Sequence, residues 1–169
     1  MFERVVIGID PGVAATGLAV VVLGGGSRPK VTHAETLRTQ AGAPESARLR
    51  TVHGAVVDLL SAYPAEAVAL ERLLWGRNVG SAMSVARASG AVLVAAAGAG
   101  VPVHEYAPLE VKMAVTGDGG ARKQDLRRAL GRIHGIADVP SEPDAADAVA
   151  VAVCHFQMAR GLRAAEAAR

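Results

Sequence analysis

Two short apolar runs in this chain each end directly in an acidic residue. The run 5–9 leads into Asp10, and the run 67–70 leads into Glu71. Runs of this length that are apolar throughout predict strands buried on both faces of a sheet. A carboxylate at the end of such a strand is costly unless a partner neutralises it. The pattern therefore predicts a sheet-based fold with acidic groups at one edge of the sheet.

A second pair of acidic residues begins a predicted helix. Asp144 and Asp147 start the run 144–154, which otherwise consists of small apolar residues. They are three positions apart and so lie on one helix face, and the helix dipole favours negative charge in the first turn. With Asp10 and Glu71 they predict a carboxylate cluster. Such a cluster repels itself unless a hard divalent cation such as Mg²⁺ neutralises it.

Two of these acids also have a structural alternative. Asp10 precedes Pro11-Gly12 and could open a turn, and Asp144 could cap its helix, which is compatible with metal binding. Glu71 ends an apolar strand and has no such alternative. Considered together, the four acids favour a metal site over a purely structural role.

The predicted elements are three strands followed by helices that alternate with two further strands. Strands are predicted at 4–10, 16–23, 30–39, 67–70 and 101–106, and helices at 44–62, 78–97, 108–115, 121–133 and 143–165. Short connections between the first three strands predict an antiparallel meander. A chain of 169 residues of which 51% are hydrophobic predicts one α/β domain. We expect that domain at 1–160 and a frayed tail at 161–169.

Composition argues against several classes of protein. The single cysteine, Cys154, excludes an intramolecular disulfide, favours a reducing compartment and is expected in the core. The N-terminal sequence has no signal-peptide pattern, and the apolar stretch at 91–97 is too short to span a bilayer. We therefore expect a cytoplasmic protein with no membrane partner.

Basic residues are concentrated in two stretches, although the net charge is only +2. The stretch 112–132 contains six basic residues against two acids, and the stretch 72–87 contains three arginines and no acid. Clustered Lys and Arg suit a phosphate backbone. The alternative for a charge run alone is a solvated helix face.

Several stretches match one known family in order and spacing. They are Ile7–Gly12 with Thr16-Gly17, Glu71, Asn78 with Ser81-Ala82, Ala86-Arg87 and Gly90, Tyr106-Ala107, Val111-Lys112, Lys123, and 144–152. This set resembles the ribonuclease-H-like superfamily and, in detail, the RuvC family of Holliday-junction resolvases, from near residue 4 to near residue 157. The resemblance implies a five-stranded mixed sheet, with three antiparallel strands and then two parallel ones, flanked by helices on both faces.

The resemblance also implies a function and a set of site residues. It implies a metal-dependent, structure-selective endonuclease that resolves four-way DNA junctions in recombination and repair. The implied ligands for two ions of Mg²⁺ or Mn²⁺ per active site are Asp10, Glu71, Asp144 and Asp147. The implied catalytic lysines, which also bind DNA, are Lys112 and Lys123, and Arg77 and Arg122 extend the DNA-binding set.

The chain departs from the family three positions after Glu71, where an aromatic residue often stacks on a base near the crossover. Leu74 occupies that position, and Trp75, the only tryptophan, follows it. Stacking of a base on an aromatic side chain contributes about 1–3 kcal/mol. We therefore predict that Trp75 takes over the stacking, and packing on the adjacent helix is the alternative.

The expected protein partner is a second copy of the chain. A junction has two-fold symmetry, so paired symmetric nicks predict a homodimer with two active sites. Small and apolar residues run around most of the helix 78–97, more than one intramolecular face would use, which predicts the interface there. Burial of this whole helix against its own sheet is the alternative. Whether a branch-migration motor complex is a further partner stays open at the level of sequence.

Two other functions stay open at the level of sequence. The turn 10–12 with Thr16-Gly17 also resembles the phosphate-binding turn of actin-like and sugar-kinase-like ATPases, but those enclose ATP between two such domains. YqgF-type relatives keep a similar core and act on other nucleic acids. The lysines on either side of the glycine-rich loop 116–120, together with the helix of Asp144 and Asp147, favour the resolvase.

Overall fold

The computed structural model describes residues 3–25, 28–73 and 79–167. Its strands are β1 (Arg4–Asp10), β2 (Ala15–Leu23), β3 (Pro29–Arg38), β4 (Ala67–Glu71) and β5 (Val103–Tyr106). Its helices are α1 (Glu45–Ala62), α2 (Val79–Gly98), α3 (Pro108–Thr116), α4 (Lys123–Arg132) and α5 (Pro143–Ala167). Every predicted element is present, with its ends moved by no more than two residues.

The strands form one sheet in the order β3-β2-β1-β4-β5. The pairs β2–β3 and β1–β2 are antiparallel, and the pairs β1–β4 and β4–β5 are parallel. This arrangement confirms the predicted mixed sheet. Because β1 and β4 are parallel neighbours, their last residues, Asp10 and Glu71, lie at the same edge of the sheet.

Helices cover both faces of the sheet, as predicted. Alternating residues of β1 belong to different cores: Ile7 and Ile9 pack with side chains of α1 and α2, whereas Val6 packs with α3, α4 and α5. Both cores are built largely from Val, Ala and Leu. Cys154 is fully buried in α5, which confirms its expected place in the core.

Helix α5 lies unusually close to the sheet because small residues face each other there. A Cβ atom at Gly8 would overlap the Ala148 carbonyl oxygen, and one at Gly17 would overlap the Asp144 carbonyl oxygen. Ala148 and Ala152 on the helix are also fully buried. The close approach carries the first turn of α5 to the edge where β1 ends.

Helix α2 is more one-sided than its composition suggests. Ala82, Ala88 and Val92, which belong to the helix predicted as the interface, are buried within the chain's own fold. Met83 and Leu93 stay 45% and 41% exposed. The face of α2 that is open to a partner is therefore narrower than predicted.

Helix α5 continues to Ala167, and the predicted division of the chain at residue 160 stays a prediction. Within the ranges that the structure describes, none of the helices is long and apolar enough to cross a membrane.

Candidate active site

Three carboxylates meet where β1 ends and α5 begins. Single oxygen atoms of Asp10, Asp144 and Asp147 all lie within 4.8 Å of one another. Asp10 is the last residue of β1, and the other two lie in the first turns of α5. The close contact of Gly17 with the start of α5 accounts for their proximity, because any side chain at that position would push the helix away.

Glu71 joins this group from the neighbouring strand. It ends β4, lines the same cleft as Asp10 and Asp147, and lies near enough to Asp10 for its charge to raise the pKa of that carboxyl group. Its backbone is in register with Tyr106 of β5, so the strand end is held from both sides. The structure thus brings together all four acids that the sequence singled out.

Burial and mutual repulsion raise the pKa values of two of these acids. Burial is the largest cause for Asp10, followed by the charges of Glu71, Asp147 and Asp144, and together they raise its pKa to about 7 although Lys123 lowers it. The pKa of Glu71 is also raised, first by burial and then by Asp147. Ionising both carboxylates is therefore unfavourable unless positive charge enters the cleft.

Basic side chains also line this cleft, which has a volume of about 260 Å³. Lys112 projects from α3, and Arg122 and Lys123 lie at the start of α4. Lys123 Nζ donates a hydrogen bond of 2.6 Å to Asp147 Oδ2. This bond is the main reason why the pKa of Lys123 is raised, and the charges of Asp147, Asp10 and Asp144 add to it.

Local hydrogen bonds fix the segments that carry these basic residues. Glu110 Oε2 accepts a bond of 2.7 Å from the Ala107 backbone N–H at the start of α3. Gly117 ends that helix with φ 78°, a conformation that glycine adopts without strain. Asp125 Oδ2 accepts a bond of 3.1 Å from the Arg122 backbone N–H, which fixes the start of α4 beside the cleft.

Three predicted DNA contacts cannot be placed in this cleft. Leu74, Trp75 and Arg77 lie outside the residues that the structure describes. The predicted stacking of a base on Trp75 therefore stays a prediction.

One expectation from the sequence is wrong. The place of His155, two helical turns beyond Asp147, predicts a residue on the helix surface or at a dimer contact, but His155 is only 6% exposed. Its Nδ1 lies 2.8 Å from Tyr106 Oη, and its ring lies 4.9 Å from that of His104. Position 155 continues the buried series of Ala148, Val151 and Ala152, so the helical period could have revealed its burial.

Comparison with known proteins gives a consistent result. Residues 6–155 match the family model described as Crossover junction endodeoxyribonuclease RuvC. A relative of that name from Desulforamulus reducens is 37% identical over 153 residues, covering 90% of this chain and 93% of the relative. One from Corynebacterium jeikeium is 42% identical over 149 residues, covering 88% and 91%.

Solved structures agree with the family match. T. thermophilus RuvC in complex with a Holliday junction substrate superposes with a TM-score of 0.86 at 39% identity, covering 93% of this chain and 95% of that one. A yeast mitochondrial Holliday junction resolvase has a TM-score of 0.64 at 10% identity, covering 90% and 78%. At that identity, the yeast protein supports the fold alone.

Proposed function

The chain belongs to the RuvC family of crossover junction endodeoxyribonucleases, and we propose that it resolves four-way DNA junctions by paired symmetric nicks that depend on divalent metal. The observation that carries this proposal is the meeting of Asp10, Asp144 and Asp147 within 4.8 Å, at a cleft that basic side chains also line. A phosphodiester group is the substrate that such a combination of metal-binding and cationic side chains suits best.

The donor set fits a hard divalent cation. All four acids offer carboxylate oxygens, which are the ligands that Mg²⁺ and Mn²⁺ prefer. Two of them are also held at raised pKa values by burial and mutual repulsion, a cost that bound cations remove. We assign two ions to each active site, with Asp10, Glu71, Asp144 and Asp147 as ligands.

Within this set Asp10 occupies the central position. The charges of Glu71, Asp144 and Asp147 all act on it, and its carboxylate lies within 4.8 Å of those of Asp144 and Asp147, so we assign it as the shared ligand. Bound divalent ions would supply an activated water and would stabilise the leaving 3′ oxygen. The protein's own contribution is to hold the four carboxylates on rigid strand ends and a helix start.

The basic side chains of the cleft orient the DNA. Lys112, Arg122 and Lys123 project into the cleft from α3 and α4 and would bind phosphates next to the cleaved bond. Arg77, Leu74 and Trp75 complete the proposed contact set at the junction, with Trp75 stacking on a base. Phosphate contacts fix the register of the strand in the cleft, whereas the junction shape determines which strand reaches it.

A homodimer would present two such clefts to one junction. The exposed apolar side chains of α2, Met83, Leu93 and Val94, support an interface on that helix. Two-fold symmetry of the dimer would match that of the junction. Docking of a branch-migration motor stays open.

The proposed function is tested with three labelled substrates: a four-way junction, a linear duplex of the same sequence and an RNA–DNA hybrid. Each is incubated with Mg²⁺, with Mn²⁺ and with EDTA. We expect symmetric nicks in opposite strands of the junction, with either metal and not with EDTA. Equal cutting of the linear duplex, or preferential cutting of the RNA strand, would contradict the proposal.

A further inference from the structure

The cleft contains an ion pair between a basic residue and one of the four acids. Lys123 Nζ lies 2.6 Å from Asp147 Oδ2. The side chain of Asp147 is only 13% exposed, whereas that of Lys123 is 71% exposed. The lysine therefore reaches in from solvent and places its ammonium group on a carboxylate that is mostly withdrawn from water.

The position of this ammonium group conflicts with metal binding at the same carboxylate. The Asp147 oxygen atoms are part of the cluster formed with Asp10 and Asp144, and a cation bound there would lie near the lysine charge. Two cations at one carboxylate repel each other. Lys123 and a divalent ion thus compete for Asp147.

We propose that Lys123 is a tethered competitor of divalent metal: metal binding at Asp147 displaces its ammonium group, which then becomes free to bind the DNA phosphate. Binding of metal at Asp147 and release of the Lys123 ammonium group to the DNA phosphate thus occur as one coupled exchange. The first half of this inference concerns the protein and metal alone, and the second half rests on the proposed function.

The position of Lys123 in the chain suits such an exchange. It is the first residue of α4 and follows the short connection 117–122 from α3. The backbone there is fixed by the Arg122–Asp125 hydrogen bond, so the long, exposed lysine side chain can swing while its Cα atom stays in place. No backbone rearrangement is needed to move the ammonium group from Asp147 to a phosphate in the same cleft.

A second lysine of the cleft provides a matched control. Lys112 also lines the cleft, and its charge also acts on Glu71. Among the ion pairs of the described residues, however, it takes part in none. Replacing either lysine by Met removes one positive charge from the cleft, but only the change at Lys123 removes a competitor from a carboxylate.

The test is titration of the full-length protein with Mn²⁺ in the absence of DNA. Binding is measured by calorimetry and by the electron paramagnetic resonance signal of free Mn²⁺. We expect Lys123→Met to bind Mn²⁺ about five- to tenfold more tightly than wild type, the order of one lost competing ion pair. Lys112→Met is expected to change the affinity by about twofold or less. Equal effects of the two substitutions, or weaker binding by Lys123→Met, would overturn the proposal.

A direct view of the ammonium group gives a second measurement. In protein labelled with ¹⁵N-lysine, the ion-paired Nζ signal that is missing from Lys123→Met should shift on addition of Mg²⁺. A signal that does not respond to saturating Mg²⁺ would also overturn the exchange. Neither measurement involves cleavage, so a failure of the proposed function appears only in the junction assay, and a failure of the exchange appears only here.

Discussion

At the scale of single residues, the cleft contains buried acidic groups that destabilise the fold but are suited to binding metal. Asp10 is held with a pKa of about 7 by burial and by three other acids. Lys112 and Lys123 line the same cleft. The proposed metal ligands and the proposed DNA-binding residues are thus different side chains, and substitutions should separate the two roles.

Removing a carboxylate should abolish cleavage but not binding. For Asp10→Asn, Glu71→Gln and Asp147→Asn we expect single-turnover cleavage to fall by a factor of about 100 or more, because each residue would hold metal. Junction affinity should be unchanged or higher, since negative charge near the phosphates is lost. Gel-shift binding in Ca²⁺ and cleavage in Mg²⁺ measure the two quantities. Asp138→Asn, an exposed acid, is the control, and near wild-type cutting by a cleft variant would remove that residue from the ligand set.

Removing a cleft lysine should reduce cleavage more than affinity. Lys112→Ala and Lys123→Ala take positive charge away from the reacting phosphate. If a lysine only contacted the DNA backbone, its loss would instead weaken affinity and reduce the slope of log affinity against log salt concentration by about one. Binding as a function of salt concentration, measured with single-turnover rates, distinguishes these cases. Equal losses of affinity and rate would make both lysines ordinary phosphate contacts.

At the scale of elements, the site depends on how closely α5 lies against the sheet and on how β5 is anchored. Gly17 leaves no room for a side chain below Asp144. At the other end of the contact, Tyr106 of β5 is hydrogen-bonded to His155 of α5. Tyr106 is also the register partner of Glu71, so β4, β5 and α5 are fixed relative to one another.

Filling the space at Gly17 should destabilise the protein and weaken its metal site. Gly17→Ala would force α5 away from β2 and should lower the free energy of unfolding by about 1–3 kcal/mol. Calorimetric titration with Mn²⁺ should also show weaker binding, because Asp144 moves. Gly54→Ala on α1 meets no atom within 4 Å and should be neutral or stabilising by about 0.5–1 kcal/mol. Unchanged metal binding by Gly17→Ala would argue against this positioning role.

Burial of His155 should make stability depend on pH. Burial first, and then His104 and Arg4, lower its pKa to about 4. The unfolded chain, with an ordinary histidine pKa near 6.5, therefore binds more protons between about pH 6.5 and pH 4. The contribution to stability is complete above pH 6.5 and is lost as the pH falls to 4.

We expect the loss of stability between pH 6.5 and pH 4 to differ between wild type and His155→Gln. Denaturant unfolding at several pH values should show wild type losing roughly 2 kcal/mol more than the variant between pH 6.5 and pH 4. His53→Gln, at a partly exposed position of α1, serves as the control. Parallel pH curves for wild type and His155→Gln would show that the imidazole is not kept neutral by its surroundings.

At the scale of the whole molecule, the apolar surface that α2 leaves exposed is the main candidate for self-association. Leu93 is 41% exposed and Val94 is 64% exposed, on a helix whose opposite side is buried against α1 and the sheet. Single exposed apolar residues are common on protein surfaces, but several on one helix suit an interface.

Charge on this surface should dissociate the proposed dimer. Leu93→Asp is expected to sediment as a monomer at micromolar concentration, where wild type sediments as a dimer, with little change in the far-ultraviolet circular dichroism. Ile133→Asp, directly after α4, which is 65% exposed, should leave the dimer intact. A wild-type protein that is monomeric and still makes paired nicks would contradict the proposed dimer.

The sequence by itself determined the elements, their order and the four acids of the cleft. Those features depend on local information: apolar runs of strand length, helical periods and turn residues. Asp10 and Glu71 could be placed at one sheet edge because each follows its own strand directly. The order and spacing of the motifs then matched one family.

Only the tertiary structure decided which side chains meet and at what cost. The bond between Lys123 and Asp147 joins residues on two helices, and no local pattern specifies such a pair. The raised pKa of Asp10 depends on burial and on the charges of three acids that lie on two other elements, β4 and α5. Burial of His155 and of one side of α2 depends on which elements pack against them. Periodicity identifies the apolar side of an element, but the identity of its neighbours is a property of the folded chain.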